Sequence, residues 1–507
     1  MYRRIAHLLL AFVFAASLYR AATQSVTTDE AFSYNLFLSG SWSRLFGGYD
    51  AAHHVLYSIL AKISLTIFGL SEFTLRLPAL ASCLLYLALA YRLCRRLLPD
   101  GPLFLLPLAL LTLNPHLMDF FSAARGYGLT VALLLLALDQ TIGYLEAPSA
   151  NALRRIALIL ALAVSANLTT LVPATALGAL LSLAILLDPR LGERLPARGR
   201  FWLLVDNLLL PSVITAFVIL ILPLTKARPD HFYFGASTAR ESLHTLVEMS
   251  YFHHPLPASL AALMPGPAFW YPLWTVLFPL AVAAASLACG LLIVHALRRG
   301  GFSALNLPCR TLLFAGGTLS LSAVALHAAH RFAGVRLPYG RTGLYFVPLL
   351  ILTSAATAAA FRHRPALRLA LGWPLTALGL LSLAQFAAHF QCNHYGEWRF
   401  DRSTKRIVQI IRSDHLHAPR PRVRVGATWM LEPTLNFYRR RYRLAWMSPV
   451  ERSNPDADFD YYVLLAEDHA VASKRSLRIL FADPFAGILL AAPPSLQGAI
   501  DAPPARE

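Results

Sequence analysis

Charge is what this chain has least of. Of its 507 residues only 14% are charged, while 56% are hydrophobic; soluble domains carry about 25% charged residues. The shortfall excludes an ordinary water-soluble globule. Acids are the scarcer sign, 27 against 45 Lys and Arg, which leaves a formal net charge of +18. Cysteine is also scarce. Cys83, Cys94, Cys289 and Cys309 lie in or beside apolar runs and Cys392 has no evident partner, so the five read as small apolar fillers rather than a disulfide framework. No internal repeat is evident either, although a transporter built of two related halves would usually carry one.

What fills the chain instead is a series of apolar runs. Each is close to the roughly 18 to 20 residues at which a helix crosses the hydrocarbon core with its backbone bonds closed internally. The runs fall near 5–22, 75–98, 102–120, 127–145, 153–170, 172–188, 201–224, 270–297, 311–329, 343–361 and 367–389. They predict an α-helical polytopic membrane protein of about eleven spans. Arg3 and Arg4 precede the first run as in a signal peptide, but no small-x-small cleavage site leads into a soluble domain, so it reads as a retained span.

The basic residues give the direction. With the N-terminus inside, the short inside segments hold Arg3 and Arg4; Arg92, Arg95 and Arg96; Arg154 and Arg155; Arg190, Arg194, Arg198 and Arg200; Arg298, Arg299 and Arg310; and Arg362, Arg364 and Arg368. Such a bias orients membrane proteins, and it accounts for the net charge without a nucleic-acid partner. Residues 1–389 then form the membrane domain, with large outer loops over 23–75 and 225–269, and residues 390–507 form a soluble outer domain. In that domain the runs RVRVGATW, YRLAWMS, DFDYYVLLA, LRILF and GILLAA read as strands. LEPTLNFYRRRY reads as a helix between the first two, which makes a small α/β domain. The closing PPSLQGAIDAPPARE reads as a loose end.

Chemistry is expected on the outer side, near the membrane surface. The first loop opens TTDEAFSYNLF, which puts Asp29 and Glu30 just after the first span, where an unpaired carboxylate is costly unless solvated or functional. Thr27 and Thr28 followed by acids equally suit a helix N-terminus. Further on, GGYDAAHHVLYSILAKISLTIFG reads as an amphipathic helix with Asp50, His53, His54 and Tyr57 on one face. That face suits a sugar phosphate, a metal held through Asp50 and His54, or simply an N-cap with interfacial histidines; two histidines and one carboxylate are a weak metal signal. Glu72 and Arg76 stand four apart and read as a structural pair.

These features together resemble a family. An acidic pair after the first span, a His-containing amphipathic helix and an E-x-x-x-R-L-P segment before the second span are similar to the pattern of GT-C-fold glycosyltransferases. Closest are the protein O-mannosyltransferase and lipid A aminoarabinose transferase group. NPHLMDFFSAARGYGL after the third span and LPYGRTGLYFVPLL before the tenth add to the likeness, which covers about the first 150 residues by motif and the rest by architecture. Many relatives read His-Pro in the first-loop helix, where this chain reads His53-His54-Val55.

The resemblance implies a bacterial inner-membrane enzyme that moves a sugar from a polyprenyl-phosphate-linked donor to a lipid, glycan or protein acceptor, with inversion. By match with the family's first-loop acid, Asp29 is the expected general base, with Glu30 orienting it or the substrate and Asp119 the next acidic candidate. His53, His54, Tyr57, Arg125, Tyr127 and Arg341 are the expected substrate contacts, the arginines for phosphate; a snorkelling interfacial role for Arg125 is the plain alternative. Lys226, Arg228, His231, Arg331 and Arg336 add positive charge to the outer loops. No cofactor and no metal-ligand set is evident, and participation of a divalent cation stays open. Two other classes also stay open: a transporter or flippase of lipid-linked sugars, which would be expected to carry ionisable groups at mid-span, and an inactive scaffold.

Overall fold

The computed structural model describes residues 1–192, 196–232, 234–452 and 457–494; Arg194 and the closing segment from Ser495 lie outside the described residues. Among the described residues, nine helices are long and apolar enough to cross a membrane: Tyr2–Thr23, Glu72–Leu97, Gly126–Tyr144, Leu168–Leu187, Arg198–Leu224, Pro267–Arg298, Leu307–Ala333, Gly340–Ala360 and Pro365–Ala388. Val276, Leu280, Leu287 and Leu291 on Pro267–Arg298 are exposed, as are Val213, Ile214, Phe217 and Val218 on Arg198–Leu224. Apolar surface of that extent needs lipid as its solvent. The chain is a helical, multi-pass membrane protein.

Two of the expected spans are shorter than eleven equal crossings would have them. The run over 102–120 divides into Pro102–Leu113 and Pro115–Phe120. Asn114 precedes a proline, which pushes it off helical geometry (φ −60°, ψ 120°), and its side chain accepts from Leu117 N at 3.1 Å to cap the second piece. The run over 153–170 is the 17-residue helix Ala150–Ala166. Asn167 leaves helical geometry there and caps the short turn Leu168–Thr170.

By contact the chain divides into two compact units. Met1–Leu18, Gly47–Leu60 and Leu77–Gln391 make the first; Tyr19–Phe46, Ala61–Arg76 and Cys392–Glu507 make the second. In the first, Gly126–Tyr144 is the most enclosed span. Its first residue has to be glycine, because a Cβ on Gly126 would lie 2.1 Å from the Ala166 carbonyl oxygen and 2.9 Å from His54 Cβ.

The second unit contains one five-stranded sheet. Its strands are β1 (Val425–Ala427), β2 (Glu451–Arg452), β3 (Tyr461–Leu465), β4 (Arg478–Asp483) and β5 (Ile488–Ala492), in the order β2-β1-β3-β5-β4. β1 pairs in parallel with β2 and β3, while β5 runs antiparallel to β3 and β4. Every residue of the central β3 is buried, which fits its unbroken apolar run YYVLL. The helix Glu432–Arg441 lies where LEPTLNFYRRRY predicts it.

YRLAWMS is not a strand. After the helix, Arg443 takes a left-handed φ of 53° and the chain closes turns through Leu444 N to Arg439 O and Ala445 N to Arg443 O. Only an isolated bridge, Val423 to Met447, remains of the expected pairing. A helix over Thr404–His417 was not anticipated; Ile407, Val408 and Ile411 form its buried face, and the Tyr461 hydroxyl donates to its Asp414.

Candidate functional site

In the second unit the segment bearing Asp29 is built as a capped helix. Thr27 is the N-cap of Thr28–Ser33: its hydroxyl accepts from Glu30 N at 3.3 Å, and Glu30 Oε2 accepts from Thr27 N at 2.7 Å. This is the reciprocal capping box expected of a threonine followed three residues later by glutamate. Asp29 lies in the same first turn and is half-buried.

Glu30 does more than cap. Arg76 donates to it from Nε to Oε1 at 2.8 Å and from Nη2 to Oε2 at 2.7 Å, a bidentate fork with neither side chain exposed. The remaining guanidinium hydrogens reach the carbonyls of Ala21, Gln24 and Ser25 at 3.3, 2.9 and 2.7 Å. Arg76 therefore fastens the whole stretch from the end of the first helix to Glu30. The expected Glu72–Arg76 pair does not form. Glu72 instead meets Arg441 and, at 3.3 Å, Lys405, because the stronger fork to Glu30 takes the guanidinium away. Arg20 and Arg76 both lie over the Tyr395 ring, at 4.9 and 5.3 Å.

A third carboxyl group, unforeseen in the sequence, joins this turn. Asp401 is buried, and its Oδ2 accepts from Thr28 N at 2.6 Å while its Oδ1 lies 3.2 Å from the Thr28 hydroxyl. Burial pushes the Asp401 carboxyl well above the usual range; the Thr28 bonds oppose that and the charges of Asp29 and Glu30 add to it.

In the first unit the other expected residues gather in two groups. Asp50, His53, His54 and Tyr57 do not share a helical face, since the helix starts only at Val55. Asp50 Oδ1 accepts from Ala52 N at 2.7 Å and His53 N donates to Asp50 O at 2.8 Å, which closes a turn after Gly47-Gly48. His54 ends that turn and gives its carbonyl to Ser58 N at 2.8 Å. Its ring stands edge-on to Tyr127, centroids 4.9 Å apart. Arg125, immediately before Gly126–Tyr144, is buried rather than snorkelling, and its Nη1 donates to Ala52 O at 3.0 Å. Tyr57 is buried as well.

The two imidazoles have positive neighbours. Burial pulls the His53 imidazole down to about 4, with Arg125 adding to the shift. Burial takes His54 well below its ordinary value, and Arg125, Arg341 and His53 push the same way. Arg341 sits in the turn Gly340–Gly343 with its guanidinium 4.9 Å from the Phe234 ring. Gly340 turns left-handed there, with φ 48°, and its N–H donates to Thr245 Oγ1 at 2.9 Å.

Asp119 belongs to the second group. In the short helix Pro115–Phe120 it is buried against His253, Oδ2 to Nε2 at 2.8 Å. His253 also reaches Gln391, and the neighbouring His254 N donates to His389 Nδ1 at 3.4 Å. The only sequence signal for this partner was the His-His-Pro run at 253–255 in the second large loop. Among the described residues no group of three or more His, Cys, Asp or Glu could hold a metal ion.

No protein-family model matches the chain, and no curated protein matches it. Among solved structures it is similar to ArnT from Cupriavidus metallidurans bound to undecaprenyl phosphate, at 14% identity over 97% of this chain and 98% of that one, TM-score 0.45. It is also similar to the Archaeoglobus fulgidus oligosaccharyltransferase in complex with Zn and sulfate (12%, 94% and 70%, TM-score 0.43). A third likeness is to the arabinosyltransferase EmbB of Mycobacterium smegmatis (14%, 87% and 42%, TM-score 0.36). Likenesses of this order leave the chemistry to be read from this chain's own residues.

Proposed function

We propose that the chain is an integral-membrane glycosyltransferase that moves a sugar from a polyprenyl-phosphate-linked donor to an envelope acceptor, a lipid, glycan or protein, on the outer face of a bacterial inner membrane. The N-terminus is cytoplasmic in this reading and residues 390–507 are extracytoplasmic. In the reaction an acceptor heteroatom attacks the anomeric carbon with inversion. A new bond forms to that carbon as its bond to the phosphate oxygen breaks, and the polyprenyl phosphate departs with the electron pair. Asp29 takes the acceptor's proton. Arg125 and Arg341 offset the charge on the departing phosphate, with neutral His53 and His54 as hydrogen-bonding neighbours and Tyr57 and Tyr127 shaping the surroundings. Glu30 acts through position, by holding the Asp29 turn against Arg76, and Asp119 is the further acid candidate, oriented by His253.

The observation that carries the reading is the setting of Asp29. The turn around it is fixed by a capping box and a fully buried fork, and Asp29 stands half-buried in the same first turn. A carboxylate carried on a turn that is itself rigidly held is what a positioned base requires. The test is complementation of a gene-deletion strain with Asp29→Asn, with mass spectrometry of the glycans and envelope lipids that disappear on deletion. The expected result is a folded variant that does not restore them; full restoration would remove Asp29 from the mechanism.

A further inference from the structure

The Thr28 hydroxyl has two oxygen neighbours and a single hydrogen to offer them. The Thr28 hydroxyl oxygen lies 2.5 Å from the carbonyl oxygen of Met430 and 3.2 Å from Asp401 Oδ1. A hydroxyl has one hydrogen, and a carbonyl can only accept. The shorter contact, to Met430, therefore takes the Thr28 hydrogen. The contact between Thr28 Oγ1 and Asp401 Oδ1 is then between two oxygens, and it is a bond only if the carboxyl group supplies the proton. At its other oxygen Asp401 accepts from Thr28 N at 2.6 Å.

We propose that Asp401 is a positioning residue for Asp29: an un-ionised carboxylic acid that donates through Oδ1 to the Thr28 hydroxyl, accepts through Oδ2 from the Thr28 amide, and so pins the turn that presents Asp29. The charges that face it are the carboxylates of Asp29 and Glu30, and with its burial they favour the neutral form. A charged Asp401 would put a third negative group beside this turn, whereas the neutral acid holds the backbone without competing with Asp29 for positive charge. The inference rests on the reading of Asp29 as base, and it assigns to the C-terminal part of the chain a direct hold on the segment that carries the chemistry.

Asparagine is the diagnostic replacement, since its amide offers one donor and one acceptor where the acid offers O–H and C=O. The full-length protein in detergent gives the first readout, the infrared difference spectrum between wild type and Asp401→Asn near neutral pH. The expected result is a carbonyl stretch of an un-ionised carboxyl present in wild type and lost in the variant; a difference confined to carboxylate bands overturns the proposal. The second readout is the product measured in the complemented deletion strain. Asp401→Ala should lower transfer by about tenfold or more, the scale of a misplaced reacting group, and Asp401→Asn should restore it to within about twofold. Equal loss in both variants, or full activity in a folded Asp401→Ala, overturns the proposal. Should Asp401→Ala not fold, Thr28→Val takes its place: it keeps the amide bond and removes the hydroxyl, and unchanged transfer overturns the proposal. Asp29→Asn run alongside separates the two readings. An active Asp29→Asn fells the base, and with it the role of Asp401, while the infrared band still decides the protonation. An inactive Asp29→Asn with an active Asp401→Ala fells the positioning role alone.

Discussion

In the second unit, Glu30 meets the buried Arg76, and Glu72 meets the half-buried Arg441 and Lys405. In the first unit, burial first and positive neighbours second hold the His53 and His54 imidazoles below their ordinary range, Arg125 acting on both and Arg341 on His54. The first arrangement is internally balanced and acts as a frame. The second crowds neutral imidazoles with positive groups, and it is there that the proposed function seats the donor's phosphate.

The largest expected effect comes from removing the proposed base. Asp29→Asn should cut transfer by roughly 10²–10⁴-fold, the usual contribution of a general base, with the thermal transition unchanged. Arg76→Met tests the frame itself. It strands Glu30 without its buried partner, and breaking such a pair costs about 3–5 kcal/mol, read as a lower thermal transition and lost expression. The double variant Arg76→Met with Glu30→Met should recover much of that loss, because no charge is then stranded. If the double variant is as unstable as the single, the fork is not what holds the turn.

The charge-crowded cluster predicts a pH dependence with a definite sign. His53 binds its proton near pH 4 in the fold and near 6.5 when unfolded, so between those values the unfolded chain holds more protons. Stability is therefore complete above about pH 6.5 and falls as pH drops towards 4, by roughly 3 kcal/mol from this group. An anion seated beside the imidazole raises its pKa, so an added polyprenyl phosphate should lessen the acid loss. A transition temperature flat from pH 7 to 4 would remove His53 from the cluster. Arg125→Lys is gentler. It keeps the charge and loses the planar fork, and should weaken donor use by about tenfold while leaving the fold intact.

What was legible in the sequence follows from the range of the interaction. Membrane helices announce themselves within one stretch of chain, and so does the helix N-terminus at Thr27 and Thr28; the break at Asn114-Pro115 is equally local, yet the apolar run over 102–120 reads straight through it. The Asp29–Glu30 pair could be singled out by its order after the first span. Its partners could not: Glu30 meets Arg76 across 46 positions, Thr28 meets Asp401 across 373, and Asp119 meets His253 across 134. No spacing rule reaches that far. Local reasoning also misled where two partners competed. Glu72 and Arg76 are well spaced for a helical pair, yet a buried bidentate fork is the better bond for a guanidinium. His53 and His54 share a helical face on paper only, because the Asp50 turn delays the helix to Val55.

The smallest expected effect isolates burial as the variable. Arg424 and Glu451 form a fork much like that of Arg76 and Glu30: Arg424 Nη2 reaches the two Glu451 oxygens at 3.3 and 3.2 Å, and its Nε reaches one of them at 3.3 Å. Here, however, the side chains are 42% and 49% exposed, against 0% for the buried pair. Water solvates both partners when the bond is cut, and salt screens whatever attraction remains. Glu451→Gln should therefore leave the thermal transition and the transfer activity where they were, at low and at high salt. Glu30→Gln, the same change of one atom, should lower both, since Arg76 has no water to turn to. If the two substitutions cost the same, burial is not what makes the Glu30 fork a frame, and the contrast between the two kinds of charge cluster would have to be rebuilt on geometry alone.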